Sequence, residues 1–212
     1  MMTVRRPSMR AAGFTLVELL VVMAIIVLVL SLVTPAVNSM LASNNLTQAG
    51  QVVADQISSA RQLASARNRS AEVRFVKLNA AAGAGYNGVQ LWMANDAGTL
   101  AASGRMIPLP GGIVMTEQAA LSPLLTTPPD TTAPLAFSGQ MPPPGSAAAT
   151  LNYLAVRIAP SGQVQPVPTT ANRPKLYLTL VNAKYSAAAT APPNYVTMQL
   201  NPDTGVAEIY RP

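Results

Sequence analysis

The sequence predicts an α+β fold in which one long N-terminal helix precedes a head of mostly antiparallel strands. Two observations support this: an apolar run of 20 residues with one charge near the N-terminus, and short alternating segments separated by Pro and Gly turns later in the chain. One helix followed by about six or seven strands is the order expected for a helix laid on a sheet. The 212 residues suffice for one ordinary domain and an anchor.

The composition argues against an enzyme. The chain contains no Cys and no His, so it lacks thiol chemistry, the commonest general base and the commonest metal ligand. Its acids are scattered, and no nucleophile–base pair, phosphate loop or metal motif is present, so we expect neither a metal nor a cofactor. Charged residues make up 10% of the chain and hydrophobic residues 50%, which indicates a membrane segment.

The apolar run covers Phe14–Val33 and contains one charged residue, Glu18. At ~1.5 Å per residue, a helix over residues 14–34 spans about 30 Å, the hydrocarbon thickness of a bilayer. A carboxylate in such a helix costs roughly 2.5–3.5 kcal/mol on insertion and is therefore a functional candidate. Neither a secretory signal peptide, whose apolar core is shorter, nor a plain signal anchor explains this residue.

The segment before the apolar run is basic. Its charges are Arg5, Arg6 and Arg10, and no acid precedes Glu18. The positive-inside rule then predicts a cytoplasmic N-terminus in the inner membrane and a head on the periplasmic or extracellular side. Without these three arginines the formal charge falls from +6 to +3, which is weak support for nucleic-acid binding.

The segment Gly13–Glu18, with the sequence Gly-Phe-Thr-Leu-Val-Glu, resembles the type III signal of type IV pilins and type II secretion pseudopilins. The resemblance implies a leader over residues 1–13 that a prepilin peptidase removes by cutting after Gly13. It also implies that Phe14 is N-methylated and that Glu18 acts in assembly. Cleavage exposes an amine on Phe14, and a carboxylate four residues later can offset its charge within one subunit or between neighbouring subunits.

Pro35 follows the apolar run, and we expect a kink there because Pro removes a helical hydrogen bond. The alternative is that the helix ends at this point. Helical periodicity resumes within residues 35–70, which we interpret as an amphipathic helix continuing into the head. Its apolar stripe consists of Leu46, Ala49, Val53, Ile57, Ala60 and Ala64. Asn68 and Ser70 beyond the stripe indicate the end of this helix.

Residues 71–212 are predicted to form the β-rich head, with a Pro-rich surface loop over residues 122–149. We expect strands over residues 71–78, 89–93, 106–115, 151–159, 175–182, 195–201 and 206–210. The segment 106–115 has a Pro/Gly break, and its prolines suit an edge position. In the first of these, Glu72 and Arg74 alternate with apolar residues and are expected on a solvated face.

Four head features resemble the H-type pseudopilins and FimT-like minor pilins. They are Gln56–Asn68 before a strand, Leu109–Gly111, Pro160–Gly162 and the closing turn Pro202–Gly205. That resemblance implies two antiparallel sheets against the helix. The leader and the C-terminal tail are also similar to the Verru_Chthon cassette protein D group.

These patterns predict a structural subunit, minor rather than major, that assembles with other pilin or pseudopilin subunits through its N-terminal helix. Two alternatives stay open: a minor pilin that binds DNA through Arg61, Arg67 and Arg69, and a single-pass surface protein that never polymerises. We favour a solvated helix end for these arginines, so nucleic acid is the less expected partner. A calcium site, as in the head loop of some major pseudopilins, is not expected without clustered carboxylates.

Overall fold

The structure is a computed structural model. It describes residues 15–78, 85–126, 137–142, 150–165 and 176–212. Within these residues the chain forms one long helix, eleven strands and two short 3₁₀ helices. The chain divides into two compact units, residues 1–41 and residues 42–212, and all the strands belong to the second.

Helix α1 extends from Leu16 to Arg67. It continues through Pro35, so the alternative that the helix ends there is wrong, while the kink stays a prediction. The helix ends where the sequence indicates a stop. Asn68 adopts the left-handed φ of 51°, its N–H donates to the Ser65 carbonyl at 3.3 Å, and the next N–H donates to the Ala64 carbonyl at 3.1 Å. This pair of bonds satisfies two terminal carbonyls of the helix.

The predicted apolar stripe of α1 is confirmed. Every member of the stripe is buried in the core that the helix shares with both sheets. Spacings of three and four residues place these side chains on one face, so each can contact the strands. Burial of a large aliphatic side chain such as Ile57 stabilises the head by about 1.5–3 kcal/mol.

The strands in chain order are β1 (Ala71–Val76), β2 (Gly88–Ala94), β3 (Leu100–Ala102), β4 (Ile107–Pro108), β5 (Ile113–Met115), β6 (Phe137–Met141), β7 (Leu151–Ile158), β8 (Val164–Gln165), β9 (Tyr177–Asn182), β10 (Val196–Leu200) and β11 (Ala207–Tyr210). One sheet has the order β3-β2-β1-β7-β6, with β4 paired to β2 and β8 paired to β7. The other has the order β11-β10-β9-β5. All the described pairings between these strands are antiparallel. The second half of α1 packs on these two sheets, as the resemblance implied.

Some strand predictions were wrong in detail. The segment 106–115 was expected with a Pro/Gly break, and it is divided there into β4 and β5 by a turn in which Gly112 has a φ of 78°. The expected loop over residues 122–149 contains the 3₁₀ helix Pro123–Leu125 and strand β6, and its residues 127–136 and 143–149 lie outside the described part. Strands β3 and β8 were not predicted, because segments of two or three residues carry too little alternation.

Candidate functional site

The first turn of α1 is closed by a reciprocal pair of side-chain bonds. The Thr15 N–H and hydroxyl donate to Glu18 Oε2 at 2.9 Å and 3.0 Å, and the Glu18 N–H donates to Thr15 Oγ1 at 3.2 Å. This is a capping box, in which a Thr and a Glu three residues later satisfy the free N–H groups of a helix start. This pairing was not predicted above, although the Thr-x-x-Glu spacing indicates it.

The segment that follows exposes apolar side chains on all sides. From Leu16 to Leu32 its large aliphatic residues and Met23 are between 46% and 79% exposed. A helix of a globular domain buries at least one apolar stripe, so this surface is expected to be covered by other molecules.

No helix in the described ranges is long and apolar enough to cross a membrane. The predicted leader arginines and the two residues of the predicted cleavage bond lie outside the described residues. These are Arg5, Arg6, Arg10, Gly13 and Phe14.

The arginines considered for nucleic acid lie in different surroundings. Arg61 lines a cleft beside the end of α1. Arg67 is exposed in the last helical turn, and Arg69 forms an ion pair with Asp96 at the turn after β2. Phosphate binding depends on several unneutralised cations on one surface. Of these three arginines, Arg69 is already neutralised by a partner.

Further along the chain, Lys77 also has a partner. Its Nζ lies 2.6 Å from Glu117 Oε1 and 5.0 Å from the centre of the Tyr86 ring. Burial, together with the charge of Glu117 and a hydrogen bond to it, raises the pKa of Tyr86 above its usual value. Tyr86 therefore stays neutral, and the ion pair between Lys77 and Glu117 lies beside its ring.

The expectation that Glu72 and Arg74 lie on a solvated face was wrong. Glu72 is only 2% exposed and accepts hydrogen bonds from two arginines. Its Oε2 lies 3.2 Å from Arg74 Nη2, and its Oε1 lies 3.0 Å from Arg157 Nε. The register of β1 and β7 places Glu72 opposite Arg157. A buried charge persists only when it is paired and hydrogen-bonded, and this arrangement supplies both.

Two aromatic rings cover the guanidinium of Arg74. Its Cζ lies 3.7 Å from the centre of the Trp92 ring and 4.2 Å from that of Tyr153. Trp92 is held by a bond from its Nε1 to Gln90 Oε1 at 3.1 Å. Cation–π contacts strengthen when the cation is desolvated, so this stack stabilises the outer face of the sheet. The sequence could not show this, because β7 is far from β1 along the chain.

A metal centre is not indicated. In the segments that the structure describes, no three acidic side chains are close enough to hold an ion. Two other acids have local partners: Asp96 pairs with Arg69, and Glu208 accepts a hydrogen bond from the hydroxyl of Tyr210.

Comparison with known proteins agrees with the N-terminal pattern. Residues 8–34 match the family described as the prokaryotic N-terminal methylation motif. No curated protein matches the chain significantly. The crystal structure of the type IV minor pilin FimU of Pseudomonas aeruginosa is similar at a TM-score of 0.46 and 11% identity, over 80% of this chain and 93% of that one.

The matched motif coincides with the start of the long helix. The chain carries this N-terminal methylation motif over residues 8–34, and the second half of α1 packs on a mostly antiparallel head.

Proposed function

We propose that the chain is a structural, minor subunit of a type IV pilus or of a type II secretion-like pseudopilus. In this proposal a prepilin peptidase cuts after Gly13 and Phe14 is N-methylated. The match to the methylation motif over residues 8–34 carries the proposal. The capped helix that begins at Leu16, directly after the proposed cleavage site, supports it.

The position of Glu18 fits a role in assembly. Cleavage would create an amine on Phe14, normally protonated near neutral pH, one residue before the amide that Glu18 binds. Both hydrogen bonds from Thr15 use Oε2, so a further donor can approach Oε1. An amine of the same or a neighbouring subunit can serve as that donor and fix the axial register of a fibre.

The exposed apolar segment has two environments in this proposal. Before assembly, residues 14–34 are held in the inner membrane with the leader in the cytoplasm, where Arg5, Arg6 and Arg10 stay. After assembly, the same side chains pack against those of other pilin or pseudopilin subunits. Both environments remove apolar surface from water, which is the main driving force for association.

The experiment is mass spectrometry of the mature N-terminus together with a variant of the cleavage site. We expect the purified protein to begin with N-methyl-Phe14. Gly13→Leu should leave the precursor inserted but uncut, because a bulky side chain replaces the small residue at the proposed cleavage bond. Ala11→Leu, two residues away, is the matched control and should be processed.

Normal maturation of Gly13→Leu would contradict the assignment to the peptidase. A surface protein that never polymerises would show the same mature N-terminus, but it would be absent from sheared fibres. Fibre fractions of the native protein therefore separate that alternative from the proposal.

A further inference from the structure

A cleft of about 550 Å³ lies beside the last turns of α1. Its helical wall includes Arg61, Gln62 and Ser65, and the opposite wall is formed by the turns at residues 160–162 and 203–204. All of these residues belong to the unit 42–212. The proposed assembly through the N-terminal helix does not involve this cleft.

The two turns are fixed against each other. Gly162 and Gly205 have φ values of 87° and 63°, and a Cβ on Gly205 would lie 2.6 Å from the Gly162 carbonyl oxygen. The Val164 N–H donates to the Pro202 carbonyl at 2.8 Å, which joins the ends of the two sheets. Only glycine fits such a close approach, so the wall of the cleft is preformed.

Arg61 contributes the cationic group of the helical wall. Its Cδ lies 3.7 Å from the position that a Cβ of Gly205 would occupy, so its stem rests on the turn. Among the described residues its guanidinium has no hydrogen-bond or ion-pair partner, in contrast to Arg69, which pairs with Asp96.

Hydroxyl groups of the cleft add hydrogen-bond donors. Ser161 Oγ accepts from the Gln163 N–H at 3.4 Å, and Thr204 Oγ1 accepts from the Val206 N–H at 3.4 Å. These bonds use the oxygen lone pairs, so each O–H can donate to a ligand. A guanidinium fork beside hydroxyl donors matches the two oxygens of a carboxylate.

We propose that this cleft binds the carboxylate side chain of an acidic peptide segment on a partner protein. Arg61 forms the ion pair, and hydroxyls of the cleft donate to the same carboxylate. Among the described residues that line the cleft there is no aromatic ring, so they provide no stacking surface of the kind that a nucleobase uses.

The charges of the cleft favour a peptide over a nucleic acid. The described lining of the cleft contains one cation, Arg61, which can match a single carboxylate but not the several charges of a polyphosphate. Of the basic residues near the end of α1, Arg74 is buried and Arg69 is paired with Asp96, so neither adds a free cation for a phosphate backbone.

The test is an NMR titration of the isotope-labelled full chain in detergent micelles. The probes are acetyl-Ala-Glu-Ala-amide, its Gln analogue and a 12-nucleotide single-stranded DNA. The Glu peptide should shift the amides of Gly162 and Gly205 saturably, in the millimolar range, and less at high salt. The Gln peptide should shift them at least fivefold less.

Arg61→Gln should abolish the shifts, and Arg67→Gln, the matched exposed arginine, should keep them. Arg61→Lys retains the charge without the fork and should bind more weakly than the native chain. Equal shifts with both peptides, or unchanged binding by Arg61→Gln with an otherwise native spectrum, would overturn the proposal. Binding of the DNA at lower concentration than the Glu peptide would overturn it in favour of nucleic acid.

Discussion

The two halves of α1 carry apolar residues in different patterns. Over residues 16–32 apolar side chains point in all directions and are exposed, whereas over residues 46–64 they form one buried stripe on the head. The apolar stripe of the second half is therefore covered by residues of the same chain. The first half exposes apolar surface that the described part of the chain does not cover. This difference supports the proposal that the first half serves assembly, whereas the second half belongs to the core of the head.

The free energy available from burying the apolar side chains of the exposed half is large. Burial of each Leu, Ile or Val contributes about 1.5–3 kcal/mol. Summed over the exposed segment, this exceeds the net stability of a typical domain, about 5–15 kcal/mol. Burial of this segment in a lipid bilayer or in a bundle of neighbouring helices can therefore determine where the protein is located. The head belongs to a separate compact unit, residues 42–212.

The largest effect is expected from a matched pair of substitutions in the two halves. Ile57→Asp places a carboxylate in the core, at a cost of several kcal/mol, and should abolish cooperative unfolding of the head. Ile25→Asp changes an exposed position and should leave head unfolding within about 0.5 kcal/mol of the native chain. Trp92 is the only Trp, so its fluorescence in urea reports on the head alone.

Equal loss of head stability in both variants would contradict the division between the halves. Ile57→Val is a milder control that should fold and lose about 0.5–1.5 kcal/mol. A loss of this size would show that Ile57 packs in the core, because a position that only excludes charge would lose no stability in Ile57→Val.

The next effect concerns the charged cluster within the head. Arg74→Ala removes the guanidinium between Trp92 and Tyr153 and one partner of buried Glu72. We expect a loss of about 3–5 kcal/mol, because a buried carboxylate loses part of its compensation. The exposed Arg67→Ala should change stability by less than about 0.5 kcal/mol. The urea midpoint of unfolding measures both changes in stability. A midpoint for Arg74→Ala equal to that of Arg67→Ala would show that the stack contributes nothing to the stability of the head.

The smallest effect is local to the start of the head half of α1. Arg211 donates to Ser43 Oγ, to Thr47 Oγ1 and to Asn194 Oδ1, and so ties the C-terminal region to this turn. Arg211→Ala should cost about 1 kcal/mol locally and speed amide exchange of residues 43–47 roughly fivefold. Exchange of residues 57–64 should stay unchanged. Unaltered exchange at both places would mean that these bonds do not hold the turn.

The elements with strong local signals could be predicted from the sequence. The stripe from Leu46 to Ala64 has spacings of three and four, and the stop at Asn68 follows the last apolar residue. β2 and β10 alternate over five or more residues, so their existence was clear. The motif at Gly13–Glu18 is local in the same way, and the family match over residues 8–34 includes it.

Features that depend on distant pairing could not be predicted. Glu72 and Arg74 alternate like surface residues, and only the register with β7 shows that Arg157 and Tyr153 cover them. The cleft at Arg61 likewise requires two turns that are about 40 residues apart in the chain to meet. The capping box at Thr15 is the exception, since its spacing is visible in the sequence and was overlooked.

The most direct test of assembly through the exposed half is incorporation of Glu18 variants into sheared fibres, normalised to the amount in the membrane. Glu18→Ala should be inserted and cut normally, yet incorporate poorly, because the amine of Phe14 would lie buried without its partner, at about 3–5 kcal/mol. Glu18→Gln keeps the capping box with Thr15 but not the charge, and should incorporate to an intermediate extent. Thr15→Ala, which weakens only the cap, should incorporate more than Glu18→Ala. Equal incorporation of Glu18→Ala and the native chain would contradict the account, because the carboxylate would then have no part in joining subunits.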